Sequence, residues 1–220
     1  MCSIEVQIDK IVEILHEAVT AMRVPIVTEI SQHRRSPFEV LIATILSLRT
    51  KDEVTRSASK RLFKEAKTPY DLIKLKESHI AELIFPVGFY KTKAKTLISL
   101  CKVIIEDYQG EVPNDLDELL KLKGVGRKTA NLVMTLGYGK LGICVDTHVH
   151  RISNRLGYVK TQNPDQTEIA LRGKLPTKYW IDYNDLLVTW GQNICKPISP
   201  LCSKCAISDY CNRVGVTKSR

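Results

Sequence analysis

Little in this chain interrupts a helix. Its 220 residues hold only 11 glycines and 9 prolines, and no alternation of apolar and polar residues recurs in series as consecutive strands would require. That scarcity argues against a sheet-built fold and predicts an all-α one. Long apolar runs are missing too: Val40 to Leu48 and Thr129 to Gly139 are cut short by Glu39, Arg49, Lys128 and Lys140, well below the roughly 18 residues of a membrane span. No membrane partner is therefore expected. The first residues, MCSIEVQIDKIVEIL, lack the basic start, apolar stretch and small-residue cleavage site of a secretory signal, which predicts an intracellular, cytoplasmic protein. Repeats, low-complexity tracts and long linkers are also absent, while a hydrophobic share of 44% and a charged share of 26% suit a folded chain of one large or two small domains.

What is present is an excess of positive charge. Thirty-three Lys and Arg against 24 Asp and Glu give a net +9, which suits a polyanion such as nucleic acid, although a solvated cationic face produces the same number. Seven cysteines form an odd set in a chain with no secretory signal, so a full disulfide framework is disfavoured and metal binding becomes the better question.

Apolar residues recur at three- and four-residue spacing. Ile8, Ile11, Val12, Leu15 and Val19 make one helical stripe, and Phe38, Val40, Ile42, Ala43, Ile45 and Leu46 make a helix buried on more sides. Further helices are predicted over 54–66, 69–75, 78–84, 91–108, 115–122, 127–137, 146–156, 165–173 and 179–192, separated by glycine, proline and asparagine turns.

Three motifs carry chemistry. LDELLKLKGVGRKTANLVMTLGYGK places one amphipathic helix before Leu122, a glycine hairpin at Lys123 to Gly126 and a second helix from Arg127. In such a helix-hairpin-helix, Gly124 and Gly126 allow close backbone approach, and the amides that follow can hold a phosphate without reading a base. Lys121, Lys123 and Arg127 add charge around it; an ordinary helical hairpin would have the same glycines. Lys128 opens the second helix, and with a carboxylate partner its amine has the chemistry of a covalent nucleophile. Asp146, in GICVDTHVHR, follows a glycine-rich turn able to fold it back towards Lys128; it suits either activation of the amine and stabilisation of a cationic sugar, or capping of the helix THVHRISNRLG, and both roles can coexist. His148 and His150 are two apart and do not share a helical face, which argues against a paired metal site. Cys195, Cys202, Cys205 and Cys211 form a C-x6-C-x2-C-x5-C array; by spacing alone, structural zinc and an iron-sulfur cluster are both open. Cys2, Cys101 and Cys144 read as free cysteines.

The hairpin segment LKGVGRKTANLVM, the segment VDTHVHRISNRLG and the four-cysteine spacing together resemble the endonuclease III family of base-excision DNA glycosylases over nearly the whole chain. The resemblance implies a six-helix barrel containing the hairpin at 30–140, a second helical domain from 1–29 plus 141–220, and duplex DNA carrying damaged bases or abasic sites in the cleft between them. It also implies Lys128 as nucleophile, Asp146 as its catalytic partner, and a [4Fe-4S] cluster on Cys195, Cys202, Cys205 and Cys211. That cluster would order a basic loop in which Lys196 and Lys204 contact phosphates; Gly124, Gly126 and Arg127 would do so at the hairpin.

Phe89, in VGFYKTKA, matches the family's apolar wedge, which enters the stack as a nucleotide flips out. Arg49, in ILSLRTKDEVT, stands where many members carry a glutamine that touches the orphaned base. The expected activity is removal of damaged pyrimidines with cleavage of the abasic site, by a monomeric, nucleoid-associated enzyme. Two other readings are a uracil or thymine mismatch glycosylase, favoured by Arg49 and disfavoured by Lys128, and a non-catalytic helix-hairpin-helix module with structural zinc.

Overall fold

The computed structural model describes residues 7–20, 22 and 36–220, and among these every regular element is a helix or a helical turn. No helix among them is long and apolar enough to cross a membrane. The chain divides into two compact units, Ile26–Gly142 and the combination of Met1–Pro25 with Ile143–Arg220. Cys2 and the expected boundary at residues 29 and 30 lie outside the described residues.

The first unit is built around the helix Pro37–Ser47, in which every residue from Phe38 to Leu46 is buried. Its start follows from local chemistry: the Ser36 hydroxyl accepts from the Glu39 amide at 3.3 Å, and Pro37 occupies a first-turn position where its missing N–H costs nothing. Buried all round, it takes helices on several sides, packing against Asp52–Glu65, Tyr90–Tyr108 and Arg127–Leu132. The polar Thr44 is accommodated there because its Oγ1 donates back to the Val40 carbonyl at 2.7 Å. Each fully buried Leu or Ile of this helix contributes about 1.5–3 kcal/mol. The remaining helices, Pro69–Leu72, Glu77–Ile84 and Leu116–Lys121, complete the shell. Asp115 starts the last of them by accepting from the Asp117 and Glu118 amides at 2.9 and 3.1 Å.

The second unit joins the two ends of the chain. Helix Ile8–Val19 turns Ile8, Ile11, Val12 and Leu15 inward, onto a core with Val149, Ile152, Leu156, Tyr183, Leu187 and Trp190. Those residues come from helices Thr147–Leu156 and Tyr183–Asn193, with Pro164–Arg172 packed alongside. At the rim, Asp9 accepts from the Tyr179 hydroxyl at 2.5 Å and pairs with Lys178 at 2.6 Å, an exposed tie across 170 residues of sequence.

The helix expected over 69–75 ends at Leu72, and two further helices differ from the pattern expected of their sequence. The segment 179–192 is not continuous: a 3-10 turn at Thr177–Tyr179 precedes the helix Tyr183–Asn193. The Trp180 indole donates to the Leu175 carbonyl at 2.9 Å and Tyr179 reaches Asp9, so tertiary partners hold this stretch in a turn. The segment 127–137 begins as an α-helix at Arg127–Leu132 and widens into a π-helical turn at Val133–Gly137, closed by the Tyr138 amide donating to the Val133 carbonyl at 3.1 Å.

Candidate nucleic-acid site and cysteine centre

In the first unit, Leu122 and Val125 are buried and pin the hairpin to the core. The chain reverses between them at Gly124, whose φ of +87° lies in the left-handed region that a side chain disfavours. Gly126 then leads into the helix with extended geometry and, having no side chain, supplies no side-chain cap of its own. Arg127 and Lys128 stand half-buried at that helix start, with Lys123 exposed on the turn. Lys121 is exposed and pairs with Glu118 at 2.5 Å.

A second feature of the same unit brings Arg49 and Phe89 together. Arg49 lies just beyond the end of the Pro37–Ser47 helix, and Phe89 immediately before the Tyr90–Tyr108 helix. The Arg49 guanidinium sits 5.8 Å from the centre of the Phe89 ring, within cation–π range. Both residues adopt left-handed backbone angles, φ 54° and 58°, and the Phe89 side chain is 63% exposed. An aromatic ring so exposed, and carried by a disfavoured backbone conformation, is not serving the core.

Asp146 belongs to the second unit. Its Oδ1 accepts from the His148 and Val149 amides at 2.8 and 3.0 Å, capping the helix Thr147–Leu156, and it is 9% exposed. The segment leading to it is held by Asn184, whose Nδ2 donates to the Cys144 carbonyl at 3.1 Å. His148 and His150 enter different networks: His148 Nδ1 meets Arg151 at 3.0 Å, whereas His150 Nδ1 meets the Thr167 hydroxyl at 2.7 Å.

Cys195, Cys202, Cys205 and Cys211 line one pocket, all half-buried and none in a disulfide. Among the described residues, no three His, Cys, Asp or Glu side chains converge closely enough to hold a single metal ion. The surroundings suit a group ligated by thiolates. Arg155 Nη1 donates to Cys195 Sγ at 3.3 Å and the Arg213 amide to Cys211 Sγ at 3.4 Å. Among the described residues, the buried Trp190 indole N–H has no acceptor at hydrogen-bonding geometry. Burial pushes the Cys205 and Cys211 thiols up, with the neighbouring cysteines adding to the effect; metal ligation opposes that shift by replacing the protons. Lys196 is half-buried and Lys204 exposed on the same loop.

Sequence reasoning did not single out Arg151 and Arg155. Arg151 Nη2 donates to the Cys195 carbonyl at 2.9 Å, while Arg155 donates to the Lys196 and Pro197 carbonyls at 2.7 Å each. Their signal was their four-residue separation, which puts both on one face of a helix. Lys93, a buried lysine in the first unit, was also missed, and nothing in the run KTKAK marks it out from its neighbours.

Residues 42–177 match the family described as HhH-GPD superfamily base excision DNA repair protein. The chain is 50% identical to endonuclease III of Thermotoga maritima over 175 residues, which is 80% of this chain and 82% of the relative. A solved non-covalent endonuclease III–DNA complex is similar at 34% identity and a TM-score of 0.84, covering 97% of both chains. A thermostable thymine-DNA glycosylase is similar at 31% identity and a TM-score of 0.79, covering 91% of this chain and 92% of that one.

Proposed function

Because the chain belongs to the endonuclease III family of HhH-GPD superfamily base excision DNA repair proteins, we propose that it removes damaged pyrimidines from duplex DNA and cuts the abasic site it creates, with Lys128 as nucleophile. The observation that carries this reading is Lys128 itself: a half-buried lysine at the first turn of the helix behind the glycine hairpin, within the segment matched to the family.

Flipping would bring the damaged nucleotide out of the stack, with Phe89 entering the vacated space and Arg49 meeting the orphaned base. The Lys128 amine attacks C1′ of the sugar, and the bond from C1′ to the base breaks as the base leaves with the electron pair. Positive charge develops on the sugar in this step, and the Asp146 carboxylate offsets it. Loss of the amine proton and opening of the sugar ring give a Schiff base between Lys128 and C1′. Removal of a proton from C2′ then expels the 3′ phosphate oxygen, cutting the strand by β-elimination. Gly124, Gly126 and Arg127 hold a phosphate at the hairpin, and Lys196 and Lys204 add electrostatic attraction.

Cys195, Cys202, Cys205 and Cys211 would hold a [4Fe-4S] cluster. When bound, it would supply cross-linking of the loop that carries Lys196 and Lys204, and no step of the reaction runs through it.

Borohydride reduction tests the nucleophile, because it converts a Schiff base into a stable protein–DNA adduct. The wild type is expected to be trapped on lesion duplex, and Lys128→Gln to lose both trapping and base release while still binding DNA. Trapping of Lys128→Gln at the wild-type yield would assign the amine elsewhere. A mismatch glycosylase is the second reading, favoured by Arg49 and the likeness to a thymine-DNA glycosylase; it predicts base release with no adduct.

A further inference from the structure

Lys93 lies in the first turn of the Tyr90–Tyr108 helix with 8% of its surface exposed. Its Nζ donates to the Leu46 carbonyl at 2.9 Å and the Leu48 carbonyl at 2.7 Å, and reaches Thr50 Oγ1 at 3.4 Å. These acceptors lie at and just beyond the end of the Pro37–Ser47 helix, where the last carbonyls have no partner within the helix and the dipole is negative. Many helices end on a left-handed residue, usually glycine and sometimes asparagine. This one ends on Leu48 and then turns left-handed at Arg49, with the Lys93 side chain supplying donors from another helix.

The same amine is part of a larger latch. Thr50 Oγ1 accepts from the Gly88 amide at 3.1 Å. Gly88 sits so close to the Arg49 carbonyl that a Cβ there would approach it to 2.6 Å. Lys93, Thr50 and Gly88 thus bind the backbone of 46–50 to that of 88–93, and on the outer side of this junction stand Arg49 and Phe89. Left-handed geometry is disfavoured for both side chains, so two adjacent residues can keep it together only if something else fixes the backbone around them.

Among the described residues, the amine has no carboxylate hydrogen-bond partner. Burial pushes it down to about 8, while the two carbonyls favour the ammonium. A methionine of similar length would fill this space without desolvating a charge, so packing alone does not account for a lysine here.

We propose that Lys93 is a positioning residue that locks the 46–50 and 88–93 segments together and so holds Arg49 and Phe89 in the paired left-handed geometry in which they meet DNA. The inference rests on the reading of Arg49 and Phe89 as the residues that enter the opened stack, and its two halves are tested separately.

The latch is read without DNA. Trypsin cleaves after Arg49 and Lys51, and Lys93→Met is expected to speed cleavage there by about tenfold or more relative to sites elsewhere in the folded chain. Thr50→Val, which removes the shared hydroxyl at nearly constant volume, is expected to give a smaller increase, and it serves in place of Lys93→Met should that variant fail to fold. Unchanged cleavage in the folded variants would overturn the latch.

The function is read by single-turnover base release from a lesion paired with guanine, set beside borohydride trapping on an abasic site that faces a gap. The second substrate has no orphaned base and no intact stack to open. Lys93→Met should slow the first by about ten- to a hundredfold, as displaced contacting groups do, and change the second by less than about twofold. It should add little to the double variant Arg49→Ala with Phe89→Ala. Equal losses on both substrates, or full multiplication of losses in the triple variant, would overturn the positioning role. If the double variant itself leaves paired base release unchanged, the DNA role of the two loops fails, while the trypsin result still stands for the latch.

Discussion

Replacing Asp146 by alanine and by asparagine separates two roles that one carboxylate combines. Its Oδ1 accepts the His148 and Val149 amides at 2.8 and 3.0 Å, two of the four donors that the Thr147–Leu156 helix leaves without an internal partner. At 9% exposure, water replaces those bonds poorly. Asp146→Ala strips both, for a loss of about 1–2 kcal/mol, and in a chain of this size that lowers Tm by roughly 2–8 °C. Asparagine caps as well as aspartate and gives up only the interaction of the charge with the helix dipole, about 0.3–1 kcal/mol. It nevertheless removes the charge needed as the sugar becomes cationic, so base release should fall by about 10²–10³-fold. Thermal melts followed by circular dichroism read the cap, and single-turnover base release with enzyme in excess reads the charge. Wild-type base release by Asp146→Asn would refute the electrostatic role. A wild-type melting temperature for Asp146→Ala would refute the cap, and activity that merely tracks stability across both variants would reduce Asp146 to a cap alone.

Purified protein should be yellow-brown with about four irons per chain, and Cys202→Ser should lose that absorption; one zinc per chain would contradict it. Cys101 lies fully buried in the other unit with its thiol pushed up to about 12 by burial, so Cys101→Ala should leave the spectrum unchanged and a thiol reagent at neutral pH should leave Cys101 unlabelled in the folded chain. Arg49→Gln should change the ratio of activity opposite guanine to that opposite adenine, because a guanidinium fork can bond two guanine acceptors at once; an equal loss on both would make Arg49 a phosphate contact. Affinity for undamaged duplex should fall linearly with salt on logarithmic axes, as expected of a chain with net charge +9, and a flat response would contradict that.

The helices and the family were legible in the sequence because both are local patterns. The spacing of Ile8, Ile11, Val12 and Leu15 makes one apolar face whatever covers it, and those four residues are the buried ones. The hairpin glycines are equally local, since a left-handed turn at Gly124 is a property of a few consecutive residues. Asp146 before an amphipathic run reads as a helix cap for the same reason, and its two amide bonds span only three residues. At 179 a distant partner intervened: Tyr179 bonds Asp9 at the other end of the chain, and the helix begins only at Tyr183.

Composition, periodicity and motif spacing by themselves determined the all-helical class, the hairpin and the four-cysteine array, because each is written in residues close together along the chain. Only the tertiary structure decided what Lys93, Arg151 and Arg155 do. In sequence all three are ordinary basic residues. Lys93 becomes a buried donor because the Leu46 and Leu48 carbonyls, more than forty residues away in sequence, end a helix beside it, and Arg155 reaches Cys195 Sγ across 40 residues. The pairing of Arg49 with Phe89 has the same origin. A charge's partner is set by where other segments leave unpaired carbonyls and rings, and that follows from the packing of helices against one another, not from any pattern within one of them.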